Sequence, residues 1–244
     1  LTIEATMYQY HYQRPTPHLL FDMAQGKMYN AEALNLFGFN RAVGASFETV
    51  WNDGGSYVYP GSALTMSIVS TSASDTMDVL IVGLDASYNV ISETVTLTGT
   101  TPVTSTVQFF RINSAIILAG SNVGDITISN GGTKYAFIEA TLGVTQSIIY
   151  TVPAGYTFYI FRIDANSATA TGSQYLTFRN VQTTSTGRTL RVAEATFAES
   201  QVSYDRQVPF TVTEKTDLQF EAKSSAGANE MSLFIEGVLM KNNP

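Results

Sequence analysis

An all-β fold of two consecutive antiparallel sandwiches, preceded by an extended N-terminal arm, is what this 244-residue sequence predicts. Three observations lead there. Each half of the chain carries roughly seven short runs rich in Val, Ile, Thr, Tyr and Phe, separated by clusters of Gly, Asn, Asp, Ser and Pro. No convincing helical period lies between those runs, which argues against a parallel α/β sheet. Residues 90–97 alternate cleanly, Val90, Ser92, Thr94 and Thr96 against Ile91, Glu93, Val95 and Leu97, the pattern of a strand with one face covered.

Residues 1–55 read as the arm. Met7-Tyr8-Gln9-Tyr10-His11-Tyr12 alternates at period two and ends at Pro15 and Pro17, as a short extended segment does. Residues 31–37, AEALNLF, read as two helical turns with Gly38 as the C-terminal stop. Trp51-Asn52-Asp53-Gly54-Gly55 then gives a turn. An arm this rich in aromatic residues stays ordered by packing, either on its own body or as a strand added to a neighbouring subunit. Tyr8, Tyr10, His11, Tyr12, Arg14 and Trp51 are the candidate interface residues.

The first sandwich is expected over residues 56–142, with strands at 57–59, 64–70, 77–84, 90–97, 107–118, 125–128 and 134–139. The second is expected over 143–244, with strands at 146–152, 156–165, 174–181, 189–195, 201–212, 217–222 and 231–239. Its opening stretch, QSIIYTVPAGYTFYIFRIDA, reads as a tight hairpin. Pro153 takes position i+1 of a type I turn, Gly155 takes i+3, and both faces of the second strand are covered. No strict sequence repeat relates the halves.

Composition bounds the function. Charged residues are 14% of the chain against roughly 25% for an average soluble domain, with Ser, Thr, Asn and Gly in the polar role. Such surfaces desolvate cheaply against other protein. A net charge of −7 with no basic patch argues against nucleic acid as a partner. The absence of cysteine removes disulfides and thiolate metal sites. No apolar run approaches the roughly 18 residues of a membrane-spanning helix, and the first residues lack the pattern of a signal peptide. No membrane partner is expected. Arg111 and Lys134 are the only cations between Ser56 and Ala140. The second half carries Arg162, Arg179, Arg188, Arg191, Arg206, Lys215 and Lys223, either on solvated strand faces or as a surface for an acidic protein.

Catalytic chemistry is sparse. His11 and His18 are the only histidines, both in the arm, and no Gly-x-Ser-x-Gly elbow occurs. Two histidines separated by Pro15 and Pro17 make a poor start for a zinc site. Asn130-Gly131-Gly132 and Asp53-Gly54-Gly55 are turns with no helix following, so neither is a phosphate loop. Asp75-Thr76-Met77-Asp78 lacks the alternating carboxylates of a calcium loop. Asp164, Glu194, Glu199, Asp205 and Glu221 are the pool for a glycosidase pair, and no spacing singles out two of them. The expectation is a non-enzyme without cofactors or metals.

Several stretches resemble virion structural proteins of tailed bacteriophages. They are Val50-Trp51-Asn52-Asp53-Gly54-Gly55 with Tyr57-Val58-Tyr59-Pro60, then Val82-Gly83-Leu84-Asp85-Ala86-Ser87-Tyr88, and Ile91 through Thr101 (ISETVTLTGTT). Phe110-Arg111-Ile112-Asn113, Asn122 through Ile128 (NVGDITI) and Ile149 through Tyr156 (IYTVPAGY) continue the series; residues 1–40 do not match. The resemblance implies sandwiches of jelly-roll type and a capsid cement or decoration protein, located in the virion on the outer capsid surface. Its implied partners are the major capsid protein lattice and copies of itself as a homo-oligomer, and no catalytic residue comes with it. Such a protein stabilises the head by many modest contacts across a repeating lattice. The alternative is a tail, collar or head-fibre component in contact with tail or fibre proteins and involved in host attachment. A carbohydrate-binding module or depolymerase is the reading from another class.

Overall fold

The computed structural model describes residues 22, 25–28, 30–167, 175–198, 200–225 and 228–242. All named elements are strands: β1 (Ala31–Val43), β2 (Glu48–Thr49), β3 (Leu64–Ser70), β4 (Asp78–Leu84), β5 (Val90–Thr96), β6 (Val103–Phe109), β7 (Arg111–Ile117) and β8 (Ile126–Asn130) come first. β9 (Thr133–Ile138), β10 (Ile149–Thr151), β11 (Tyr156–Ser167), β12 (Leu176–Thr183), β13 (Thr189–Phe197), β14 (Gln201–Val212), β15 (Asp217–Ser224) and β16 (Asn229–Lys241) follow. Every ladder is antiparallel.

Two sandwiches result. The larger is a jelly roll made of sheets β1-β16-β11-β14 and β10-β15-β12-β13, with β2 also on β15. Its topology follows from nested pairing. Taking β2 and β10 as one interrupted strand, the first strand pairs with the last, the second with the seventh, the third with the sixth and the fourth with the fifth. Wrapping that long ribbon into two sheets sets β16 beside β11 and β15 beside β12. Phe158, Ile160, Phe178, Phe220, Leu233 and Ile235 fill the space between.

The second strand of the jelly roll is cut by the smaller sandwich. β15 pairs with Glu48 and Thr49, then with Ile149, Tyr150 and Thr151. At the join the Val50 amide donates to the Phe220 carbonyl, and the Phe220 amide donates to that of Ile148. The ladder thus passes from one segment to the other with no gap. Between them, the chain builds sheets β6-β3-β8-β9 and β5-β4-β7 around Met66, Ile68, Ile81, Phe109, Ile126 and Ile138.

Several expectations are corrected. Residues 31–37 are strand, not helix, and residues 31–50 belong to the jelly roll rather than to an arm. Ala, Glu and Leu favour helix locally. Pairing with β16 and burial of Leu36 in the core outweigh that preference. Gly38 is no helix stop. A Cβ there would lie 2.6 Å from Ile148 Cγ1 and from the Val50 carbonyl oxygen, where β1 closes over the interrupted strand.

Residues 150–156 are not a hairpin. β10 and β11 lie in different sheets, so the turn is a corner between them. The Tyr156 amide donates to the Pro153 carbonyl at 3.2 Å and Gly155 has φ +79°. That places Gly155 at the i+2 position of a type II turn, which requires positive φ. β11 is central, as expected, and a bulge between Ile160 and Arg162 keeps Phe158, Ile160, Ile163 and Ala165 all inward. Residues 107–118 are likewise two strands. They part at Phe110, whose amide donates to Leu84 as the chain changes sheets.

Asp75 is fully buried in the smaller sandwich. Its carboxylate accepts hydrogen bonds from Ser70 Oγ at 2.6 Å and from the amides of Val123 and Gly124 at 2.8 and 2.9 Å, which pins two loops together. Burial pushes its pKa up, but these bonds outweigh burial and hold it below the ordinary carboxylate value. A folded pKa below the unfolded one means the stabilisation is complete above about pH 4 and is lost as pH falls through the folded value. Asp75→Asn is expected to cost about 1–3 kcal/mol at neutral pH. In melting curves taken from neutral to acidic pH, the variant loses part of the acid-induced decline of the parent.

Candidate functional site: the joint between the sandwiches

The joint is built around Arg111, the first residue of β7, and Asp217, the first of β15. Arg111 Nε donates to Asp217 Oδ1 at 2.7 Å and Nη2 to Oδ2 at 2.8 Å, a bidentate pair with both side chains 7% exposed. Nη1 donates to the carbonyls of Pro60 and Phe110 at 2.9 and 2.8 Å. Thr151 Oγ1 donates to Asp217 Oδ1 at 2.7 Å. Burial disfavours the Arg111 charge, but the Asp217 hydrogen bonds and charge more than compensate, so its pKa lies above the ordinary arginine value.

Aromatic rings surround the guanidinium. Its carbon lies 3.9 Å from the Phe110 ring centre, 5.0 Å from Tyr59 and 6.0 Å from Tyr88. Tyr59 stacks edge-on against Tyr57 at 4.9 Å, and Tyr57 against Trp51 at 5.3 Å. Tyr59 Oη donates to the Leu218 carbonyl and Tyr57 Oη to that of Tyr135, so the two rings tie the sandwiches together. Burial raises both phenol pKa values well above the ordinary one and keeps these hydroxyls as donors. Two further ties finish the joint. The Asn113 side chain exchanges two hydrogen bonds with the Thr151 backbone at 2.9 and 3.0 Å. The Ala154 amide donates to the carbonyl of Tyr88, a non-glycine residue at φ +66°.

Trp51 is 4% exposed inside this joint, paired across to Ser147, so it is an internal contact. Its indole donates to the Gly55 carbonyl. Tyr8, Tyr10, His11, Tyr12 and Arg14 lie outside the described residues. Sequence reasoning missed the Arg111–Asp217 pair. The available signal was a lone arginine in an apolar strand of a domain with one other cation; its partner, 106 residues away, carries no local mark. Several cations of the second half are engaged locally. Arg162 pairs with Asp164 and Asp205, Arg179 with Glu221 under the Phe47 ring, and Arg206 stacks on Phe210. Among the described residues no group of three or more potential metal-ligating side chains converges.

No protein-family model and no curated protein matches the sequence. Among solved structures, the VP2 subviral particle of infectious bursal disease virus aligns over 93% of this chain and 83% of its own, with 8% identity and a TM-score of 0.21. The Gt strain of the same virus aligns over 92% and 77%, with 9% identity and a TM-score of 0.21. Superposition this loose assigns neither fold nor role to this chain.

Arg111→Ala is expected to destabilise the protein by about 3–5 kcal/mol, because it leaves the Asp217 carboxylate buried without its cation. Chemical denaturation measures this. The double variant Arg111→Met with Asp217→Leu recovers part of the loss if desolvated charge is the cause.

Proposed function

We propose that this chain is a non-enzymatic structural component of a virus particle, a capsid cement or decoration protein that assembles with its own copies and bridges major capsid subunits. The stretches in residues 50–156 that resemble phage virion proteins motivate the reading. The observation that carries it is the outward face of sheet β1-β16-β11-β14. Phe37 and Phe161 are 41% and 40% exposed there, with Phe39 and Phe234 partly exposed on the same side. Phe37 and Phe234 are direct cross-strand neighbours. Arg162 and Asp164 on this sheet are paired with each other, which offsets part of the cost of covering their charges against a capsid subunit. The joint supports the same reading, because its ion pair is engaged in holding the two lobes at one angle.

Quantitative mass spectrometry of purified particles tests the assignment. Hundreds of copies per particle are expected. A few or a few dozen place the protein in a tail, collar or fibre instead, and none sinks the reading. The double variant Phe37→Ser with Phe234→Ser is expected to weaken binding to capsids lacking the protein and to lower their melting temperature relative to wild-type-decorated capsids, while leaving its own unfolding transition nearly unchanged.

A further inference from the structure

β13 and β14 sit at the edges of the two jelly-roll sheets, β13 paired with β12 alone and β14 with β11 alone. They follow each other directly, β13 finishing at Phe197 and β14 starting at Gln201. Both are thinly anchored. Only Phe197 of β13 and Val212 of β14 are buried, whereas most of β12, β15 and β16 is. Each ladder is also broken by a bulge, one beside Asn180 and one beside Ile160, where residues 206–209 of β14 fall outside the register. Two buried amides lie next to these strands. Asn180 is the cross-strand partner of Phe220 and Ala193, and Gln182 of Leu218 and Leu190, so both side chains face the jelly-roll interior. Asn180 is fully buried and neither its Nδ2 nor its Oδ1 has a hydrogen-bond partner among the described residues. Gln182 is 6% exposed, and its Nε2 has none either.

We propose that β13 and β14 form a flap that opens by local unfolding while the rest of the jelly roll stays folded. This goes beyond the assembly role and does not rest on it. Closing the flap gains little apolar burial, because its strands are exposed along most of their length. Closing also strips water from Asn180 and Gln182 without replacing the lost hydrogen bonds, which raises the free energy of the closed form. Opening parts Ala193 and Leu190 from these amides and hydrates them. Few side-chain ties resist it. They are the hydroxyl pairs Thr177–Thr196 at 2.9 Å and Thr183–Thr189 at 3.1 Å, and the contact of Arg162 with Asp205 at 3.6 Å. The body left behind keeps its pairing, because β11 remains on β16 and β12 on β15. The open form bares the edges of β11 and β12 and the Phe178 ring, against which Phe197 and Tyr204 pack when the flap is shut. The flap is a gate to the jelly-roll core.

Residue-resolved hydrogen exchange on the full chain, repeated at low denaturant concentrations, tests the gate. The slowest amides of β13 and β14 are expected to exchange about a hundredfold or more faster than those of β15 and β16, with a weaker dependence on denaturant, as a sub-global opening does. The double variant Asn180→Leu with Gln182→Met replaces the unpaired amides by apolar groups of similar size and is expected to slow exchange in the flap by about tenfold. The proposal is overturned if β13 and β14 of the wild-type chain are as protected as β15 and β16, the result expected where internal water serves both amides. It is overturned equally if a folded double variant exchanges in the flap as fast as the wild type. If the variant does not fold, the wild-type comparison decides alone. These readouts use purified protein, so they fail or succeed independently of the copy number that tests the capsid role.

Discussion

The bidentate contact between Arg111 and Asp217 is the constraint on which the rest of the molecule depends. The smaller sandwich is inserted through one interrupted strand of the jelly roll, and its entry and exit, Trp51 and Ser147, lie side by side. Two adjacent crossings form a natural hinge. The ion pair braces that crossing, together with the aromatic stack and the Asn113–Thr151 exchange. Removing two charges from water costs several kcal/mol for each ion, so the pair contributes orientation more than net stability. Its hydrogen bonds to Pro60, Phe110 and Thr151 satisfy the groups that burial would otherwise leave unpaired.

Rigid coupling gives the two lobes a fixed relation, which the assembly role proposed above requires. Each contact such a protein makes is modest. Repetition across a lattice supplies the strength only when every copy presents its surfaces at the same angle. A hinged molecule would lose conformational freedom at each binding event, while this joint has already lost it on folding. The outward aromatic face and the open edge of β1 lie on the same sheet.

Much of this was legible locally. Residues 64–70 and 201–212 form the strands expected of them to the residue, because β-branched and aromatic alternation bounded by turn clusters is a short-range signal. Where the reading failed, long-range pairing had overruled local preference. AEALNLF prefers helix in isolation but is the partner of β16, about two hundred residues later. The turn at Pro153 was legible as a turn. Whether it joined two strands of one sheet or two sheets depended on partners β15 and β16, which nothing near it specifies.

Trp51 shows the same division for the candidate site. It reads as a candidate interface residue in the sequence, and in the fold its ring stacks on Tyr57 inside the molecule. Strand periodicity, turn chemistry, low charge and the absence of cysteine are properties of neighbouring residues, so the sequence by itself determined an all-β protein of two sandwiches. Nesting one sandwich inside the other, burying Trp51 within the molecule and joining Arg111 to Asp217 required contacts between residues about a hundred positions apart. Only the tertiary structure decided those, because no local energy distinguishes one distant partner from another.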